Sequence, residues 1–313
     1  MDTSFGPSRV LDLVGRTPLV DLSHLSPKPG VRILAKLEGG NPSGSVKDRI
    51  VLAMVEAAER RGVLKPGDTI VEASTGNTAI ALAMVGKQKG YRVRIALPRG
   101  IVPSIPDLLT LYGAQLTWCE PEGGMRSVIE AARAIAEQEG ALALSQFTDV
   151  SNVECHYRTT GLEIAEAVEG VDAFIAGIGT GGTIMGVGRR LRERFPDVRV
   201  VGVEPRLGER LQGLRSLEEG YLPPLLDLQA LDGRYLVDSA SAIAAARTVI
   251  ETEGIFAGVS SGATLHAAWR VAERMEKGTI VVMFSDGGWK YLPARPWDAT
   301  GEQAEALDEV HWW

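Results

Sequence analysis

Cysteine is almost missing from this chain: Cys119 and Cys155 are the only two in 313 residues. Two thiols supply no disulfide framework, so a small stapled scaffold is excluded and a reducing cytoplasm is the expected location. Long apolar runs are missing as well. The longest, such as AIALAMV at 79–85, fall far short of the ~20 residues a helix needs to cross a bilayer. The opening residues, MDTSFGPSRVLDLVGRTPLV, lack a basic segment followed by an apolar one, so no secretory signal is expected. No basic run interrupts a net charge of -7; non-specific binding to nucleic acid or to an anionic membrane is thereby excluded. Low-complexity segments and repeated sequence periods are absent too. Cys155 and His156 stand side by side with no further Cys or His nearby in sequence. That makes a poor zinc site, so no metal is expected and His156 is read as structural.

What is present is the composition of a soluble globular protein, 45% hydrophobic and 23% charged, in a chain too long for one ordinary core. Short β-rich runs alternate with amphipathic helices. RILAKLE reads as a strand and DRIVLAMVEAAERRG as a helix closed by Gly62. The alternation continues through strand DTIVEAS, helix TAIALAMVGKQKG, strand YRVRIALP, helix IPDLLTLYGA and strand QLTWCE. A second series runs through HYRTTGLEIAEAVEG as one helix, strand DAFIAGIG, helix GTIMGVGRRLRERF and strand VRVVGVEP. It ends with helices ASAIAAARTVIETEG and GATLHAAWRVAERMEKG and strand TIVVMFS. Such alternation predicts parallel strands with crossover helices, an open α/β fold. The break falls near 145–155, dividing the chain into an α/β domain over 1–150 and another over 151–313. Residues 1–40 are candidates for packing on the second.

Three small-residue loops stand between a strand and a helix or just before a helix. GTGGT at 179–183 offers Gly179, Gly181 and Gly182 for close backbone approach and Thr180 and Thr183 for hydroxyl contacts. The helix start behind it favours an anion, which points to phosphate; a tight turn without a ligand is the plainer alternative. The loop is not a Walker A motif, and Ile184 occupies the third position of the dinucleotide Gly-x-Gly-x-x-Gly pattern. STGNT at 74–78 places Ser74, Thr75, Asn77 and Thr78 at a strand's C-terminal end, suited to a carboxylate or to plain N-capping. AGVSSGAT at 257–264 is, by itself, a capped helix start. Lys47, in NPSGSVKDRI, sits where a helix begins, although the helix dipole disfavours a cation there. A lysine held in a small-residue turn, with an anion loop elsewhere, is what a Schiff-base cofactor requires, because its amine must be partly desolvated to become nucleophilic.

NPSGSVKDR, EASTGNTAIALA, GIGTGGTIMGVGR, GIFAGVSSGAT and SDGGWKYL occur in that order. Together they resemble the cysteine synthase family of fold-type II pyridoxal-phosphate enzymes, tryptophan synthase β-like in fold and relatives of cystathionine β-synthase. The match runs from GRTPLV at 15–20 to GGWKYL at 287–292. The resemblance implies two open α/β domains with pyridoxal 5'-phosphate between them. It implies that Lys47 forms the internal aldimine, that GTGGT cradles the phosphate, that Asn77 bonds the cofactor's 3'-oxygen and that Ser260 faces the pyridine nitrogen. Ser74, Thr75, Thr78 and Gln146 match the groups that receive the substrate carboxylate. The implied reaction removes a leaving group from Cβ of an amino acid, with Lys47 as general base. A sulfur nucleophile then adds to the resulting aminoacrylate to give L-cysteine.

The connection RLQGLRSLEEGYLPP after VEPRLGE resembles the B type, above all the branch that uses O-phosphoserine rather than O-acetylserine. Arg215 then matches an arginine facing the phosphate leaving group, a pairing that guanidinium geometry favours. Members of that branch take sulfur from sulfide or from a thiocarboxylated carrier protein. A homodimer is implied, and the apolar Trp312–Trp313 terminus is expected to dock rather than hang free. Three departures from the family pattern stand out: Ala79 for a glycine, IPD at 105–107 for a Glu-Arg-Arg run, and SNVECHY at 151–157 for Asn-Pro-Ala-Asn. The alternatives are β-replacement by another nucleophile, giving S-sulfocysteine or a diaminopropionate-type product, and a non-catalytic partner-binding homologue.

Overall fold

The computed structural model describes residues 9–120, 124–209 and 211–295; the Trp312–Trp313 terminus lies outside them. Two sheets organise the chain. Strands β3 (Thr69–Ala73), β4 (Arg92–Pro98), β5 (Gln115–Cys119) and β6 (Leu142–Ala143) form a four-stranded parallel sheet in the order β5-β4-β3-β6. The other sheet takes β1 (Leu19–Asp21) and β2 (Val31–Leu37) from the start of the chain. It joins them to β7 (Ala173–Gly177), β8 (Arg199–Pro205), β9 (Gly233–Val237) and β10 (Gly278–Phe284). Its order is β1-β2-β10-β7-β8-β9, parallel apart from β1 on β2.

Helices cover both faces of each sheet, which is why the central strands read as continuous apolar runs. Against the smaller sheet, α1 (Lys47–Arg60), α2 (Asn77–Lys89) and α3 (Ser104–Tyr112) pack on one face around Met54, Ile70, Ile95 and Leu109. The other face is closed by α4 (Gly124–Glu139), through Val128, Ala132 and Ala136. Helix α2 is buried from Thr78 through Gly86, and its all-round apolar composition follows from being packed on every side. The larger sheet is flanked on one face by α6 (Thr160–Ala167) and α7 (Gly182–Arg194) and on the other by α8 (Ser239–Glu253) and α9 (Val259–Ala272).

The segment HYRTTGLEIAEAVEG is not one helix. Helix α5 (Ser151–Arg158) already begins within SNVECHY, the chain breaks at Thr159 with φ -116° and ψ -80°, and α6 then follows. The Thr159 hydroxyl donates to the Cys155 carbonyl at 2.8 Å, the local side-chain competition that makes threonine a poor helix-interior residue. Strand and helix patterning also passes over β1, β6, β9 and α4.

Strand order places the loops. In the smaller sheet β4 and β5 lie on one side of β3 and β6 on the other, so the chain reverses direction between β3 and β6. The same reversal occurs in the larger sheet between β7 and β10. Open α/β sheets leave a crevice beyond the strand C-termini at such switch points. STGNT and Gln146 follow β3 and β6; GTGGT and SDGGWKYL follow β7 and β10.

Candidate active site

One cavity is lined by Lys47, Ser74, Thr75, Asn77, Thr78, Gln146, Gly179, Thr180, Gly181, Thr183, Arg215 and Ser260. Of the candidate cofactor- and substrate-binding residues, Gly182 alone does not line it. Val46, Gln212, Ser285 and Tyr291 contribute further wall.

Lys47 opens α1 from a turn pinned in two ways. Asp48 is buried, accepts the Ser43 backbone N–H at 2.7 Å and bonds the Ser43 hydroxyl. The Val46 N–H donates to the Ser285 carbonyl at 2.8 Å, and Gly287 N–H to the Gly44 carbonyl at 3.1 Å, so SDGGWKYL holds the turn from across the molecule. Lys47 is partly buried and lines the cavity, and protein crowds its amine. That burial lowers its pKa to about 8; nearby Asp286 opposes the shift and Lys290 adds to it. An amine so placed is available as a base or nucleophile near neutral pH.

The substrate-loop side chains are tied to one another. Ser74 Oγ accepts the N–H groups of Gly76 and Ala79, each at 3.3 Å. The Thr78 hydroxyl donates to Gln146 Oε1 at 2.7 Å. The Gln146 side chain in turn donates to Glu72, a fully enclosed carboxyl that burial pushes up to about 7 despite backbone N–H donors from Ala73, Ser145 and Gln146. The Thr75 hydroxyl is buried with no partner among the described residues, a polar atom that asks for a ligand.

On the opposite wall Gly181 takes φ +87° at the start of α7, a left-handed conformation open to glycine. Gly182 faces buried Asn152: a Cβ there would lie 1.8 Å from Asn152 Oδ1. Asn152 reaches Thr180 Oγ1 at 3.1 Å and the Gln146 carbonyl at 2.9 Å, bridging the two loops. His156 contacts the Thr183 hydroxyl through Nε2 at 3.1 Å and the Thr160 hydroxyl through Nδ1 at 2.9 Å. Burial, with Arg49 and Lys47 nearby, holds its pKa well below the usual histidine value, so it is a neutral strut under the loop. Cys155 instead donates to the Arg49 carbonyl at 3.2 Å. Among the described residues no group of three or more His, Cys, Asp or Glu could hold a metal ion. Asn152, within the departure at 151–157, is a loop-bridging residue that the sequence alone does not single out.

Ser260 is buried in the first turn of α9. Arg215 is half-buried, its guanidinium 5.0 Å from the ring centroids of both Phe147 and Tyr221, while its backbone N–H donates to the Ile178 carbonyl at 2.8 Å beside GTGGT. Asp286, Lys290 and Tyr291 cluster around Asn77, all three buried. SDGGWKYL marks their position in the sequence, but nothing local to that motif shows the contact with Asn77.

Comparison with known proteins agrees with this geometry. The family model described as pyridoxal-phosphate dependent enzyme matches residues 10–286. A cysteine synthase from Staphylococcus aureus (strain Mu50) is 39% identical over 293 residues, covering 90% of this chain and 94% of its own length. Cysteine synthase B of Pseudomonas aeruginosa is 39% identical over 290 residues, covering 92% and 97%. Among solved structures, O-ureido-L-serine synthase superposes with a TM-score of 0.89 at 35% identity, covering 96% of this chain and 100% of the other. Cysteine synthase from Entamoeba histolytica does so with 0.89 at 31% identity, covering 99% and 98%. With a switch-point crevice, a desolvated lysine and a glycine cradle in one place, and with the family matched over nearly the whole chain, this protein belongs to the pyridoxal-phosphate dependent enzymes.

Proposed function

We propose that the protein is a B-type cysteine synthase. In this reading it replaces the β-substituent of O-phosphoserine or O-acetylserine with a sulfur nucleophile to give L-cysteine. The observation that carries the reading is the convergence of Lys47, the hydroxyl-rich loop after β3 and the glycine loop after β7 on one cavity.

The residues fit pyridoxal phosphate. The start of α7 offers backbone N–H groups in a loop where side chains are excluded at Gly182, a suitable seat for a dianion. Thr180 and Thr183 add hydroxyls there, Asn77 and Ser260 would bond the ring's polar atoms, and Lys47 would be the amine for the aldehyde. When bound, this cofactor takes up the substrate's amino group and delocalises the electron pair released at Cα. The chain's own groups do the rest. Ser74, Thr75, Thr78 and Gln146 hold the substrate carboxylate, and the Thr75 hydroxyl, which has no partner among the described residues, can donate to it. Lys47, with its pKa near 8, takes the Cα proton and can return one after the new bond forms. A serine at the ring nitrogen, rather than an acid, favours elimination over transamination. Arg215 faces the leaving group, and its guanidinium, set 5.0 Å from the ring centroids of both Phe147 and Tyr221, suits a phosphate.

The reading extends to a cytoplasmic homodimer, fed by sulfide or by a thiocarboxylated carrier protein. A second reading draws on the likeness to O-ureido-L-serine synthase: the same β-replacement with a nitrogen or oxygen nucleophile. Purified protein with added pyridoxal phosphate is assayed with each serine ester against sulfide, an amine and hydroxyurea. Cysteine is the expected product. Turnover with hydroxyurea or the amine, and none with sulfide, would give the second reading. Arg215→Ala is expected to lower kcat/KM for O-phosphoserine by about tenfold or more while leaving O-acetylserine within about threefold. Equal losses with both would remove the phosphoserine assignment.

A further inference from the structure

Asn77 is placed between two partners of opposite character. Lys290 Nζ donates to its Oδ1, and its Nδ2 donates to Asp286 Oδ2 at 2.8 Å. Lys290 and Asp286 also pair directly, at 3.3 Å, and Tyr291 donates its hydroxyl to the same Asp286 oxygen. Their exposures are 2% for Lys290, 3% for Asp286 and 6% for Tyr291, so water does not substitute for any of these bonds.

A carboxamide alone can face either way, since its oxygen and nitrogen ends are alike in shape. An ammonium has donors only and a carboxylate acceptors only. Flipping the Asn77 amide would set N–H against ammonium and oxygen against carboxylate, two unsatisfied charged groups in a buried site. One orientation survives. It leaves a second Nδ2–H, which reaches the Tyr291 hydroxyl. Burial first, and then Asp286, hold that phenol well above its usual range, so it stays neutral. Tyr291 lines the same cavity wall as Asn77. An ionised oxygen entering there outcompetes a neutral phenol for the N–H, because charge-assisted hydrogen bonds are about twice as strong.

We infer that Lys290 and Asp286 are positioning residues: they fix Asn77 so that it offers the cavity a donor, selecting a ligand that carries an ionised ring oxygen. The inference rests on the reading that pyridoxal phosphate fills this cavity, and its 3'-oxygen is such a group.

Equilibrium binding of pyridoxal phosphate and of its 3-deoxy analogue, measured on wild type, Lys290→Met and Asp286→Asn, tests the assignment. Wild type is expected to prefer the natural cofactor by about tenfold or more, the worth of one hydrogen bond to a charged group. In Lys290→Met the amide loses one of its two restraints and only Asp286 still orients it, so the preference should fall, to within about threefold. Asp286→Asn, whose own amide can turn, should reduce it likewise and serves if Lys290→Met does not fold. Variants that retain the wild-type preference overturn the inference, and so does equal weakening toward both compounds, the mark of a merely structural role. Wild-type protein that takes up neither compound overturns the cofactor reading, and the inference with it.

Discussion

Gly182 shows how tightly individual residues are constrained around the cavity. The Cβ of an alanine there would fall 1.8 Å from Asn152 Oδ1 and 2.4 Å from its Cγ. Asn152 is fully buried and cannot yield without releasing Thr180 and the Gln146 carbonyl. Gly182→Ala is therefore expected to weaken pyridoxal phosphate binding by about tenfold or more and to cost about 1–3 kcal/mol of stability, through overpacking and lost buried hydrogen bonds. Gly170→Ala, where no atom lies within 4 Å, is the comparison that should change neither. A cofactor titration and urea unfolding on both variants check this. Residue chemistry of this kind is legible in a sequence when it is local: three glycines between a strand and a helix, or a lysine inside a small-residue turn. It is not legible when the partners are far apart. Asn77 and Asp286 are separated by 209 positions, and the meaning of Lys290 depends on a burial that only the assembled sheets create.

Helix α1 carries Lys47 at its first position and a buried ion network at its third. Arg49 donates from Nε to Glu38 at 2.6 Å and from Nη1 to Glu163 at 2.6 Å; Lys36 joins Glu163 at 2.6 Å, and Thr17 and Asn41 bond Glu38. The network locks α1 to β2, to α6 and to the segment before β1. Arg49→Met leaves two carboxylates without their main partner and is expected to destabilise the fold by about 3–5 kcal/mol. The pH dependence has a definite sign. Burial raises the Glu163 pKa, but Arg49 and Lys36 outweigh it and bring the value down to about 2 from 4.5. The stabilisation is thus complete above the unfolded value and lost as pH falls from 4.5 toward 2. Denaturant unfolding should show the gap between wild type and Arg49→Met narrowing across that window; a gap independent of pH would exclude the ion pair as its cause. Elements themselves were legible where one periodicity dominated, as in α1 and β10. Helix α4 has a buried stripe at Val128, Ala132 and Ala136, but alanines give little hydrophobic contrast. Strand β9, at a sheet edge and only half-buried, has little alternation to read. The break between α5 and α6 depends on one threonine hydroxyl, which periodicity does not register.

At the scale of the whole molecule, two sheets, parallel but for β1, each reverse their strand order once, and the chain sets the functional loops beyond those two reversals. Neither sheet makes the cavity alone: the first supplies STGNT and Gln146, the second GTGGT and SDGGWKYL, and α1 brings Lys47 between them. The pattern of alternation predicts the layers, whereas strand order, which decides that these loops meet, is a property of the folded chain. We propose that this meeting makes Lys47 the nucleophilic amine, its pKa brought down to about 8 by burial. The most direct test is to mix cofactor-free protein with pyridoxal phosphate at a series of pH values, trap the adduct with borohydride and map it by peptide mass spectrometry. Label is expected on Lys47, with a trapping rate that climbs to a plateau just above pH 8 and no label in Lys47→Ala; label on Lys290 or surface lysines instead, or a rate still climbing toward the 10.5 of an ordinary lysine, would overturn this role for Lys47.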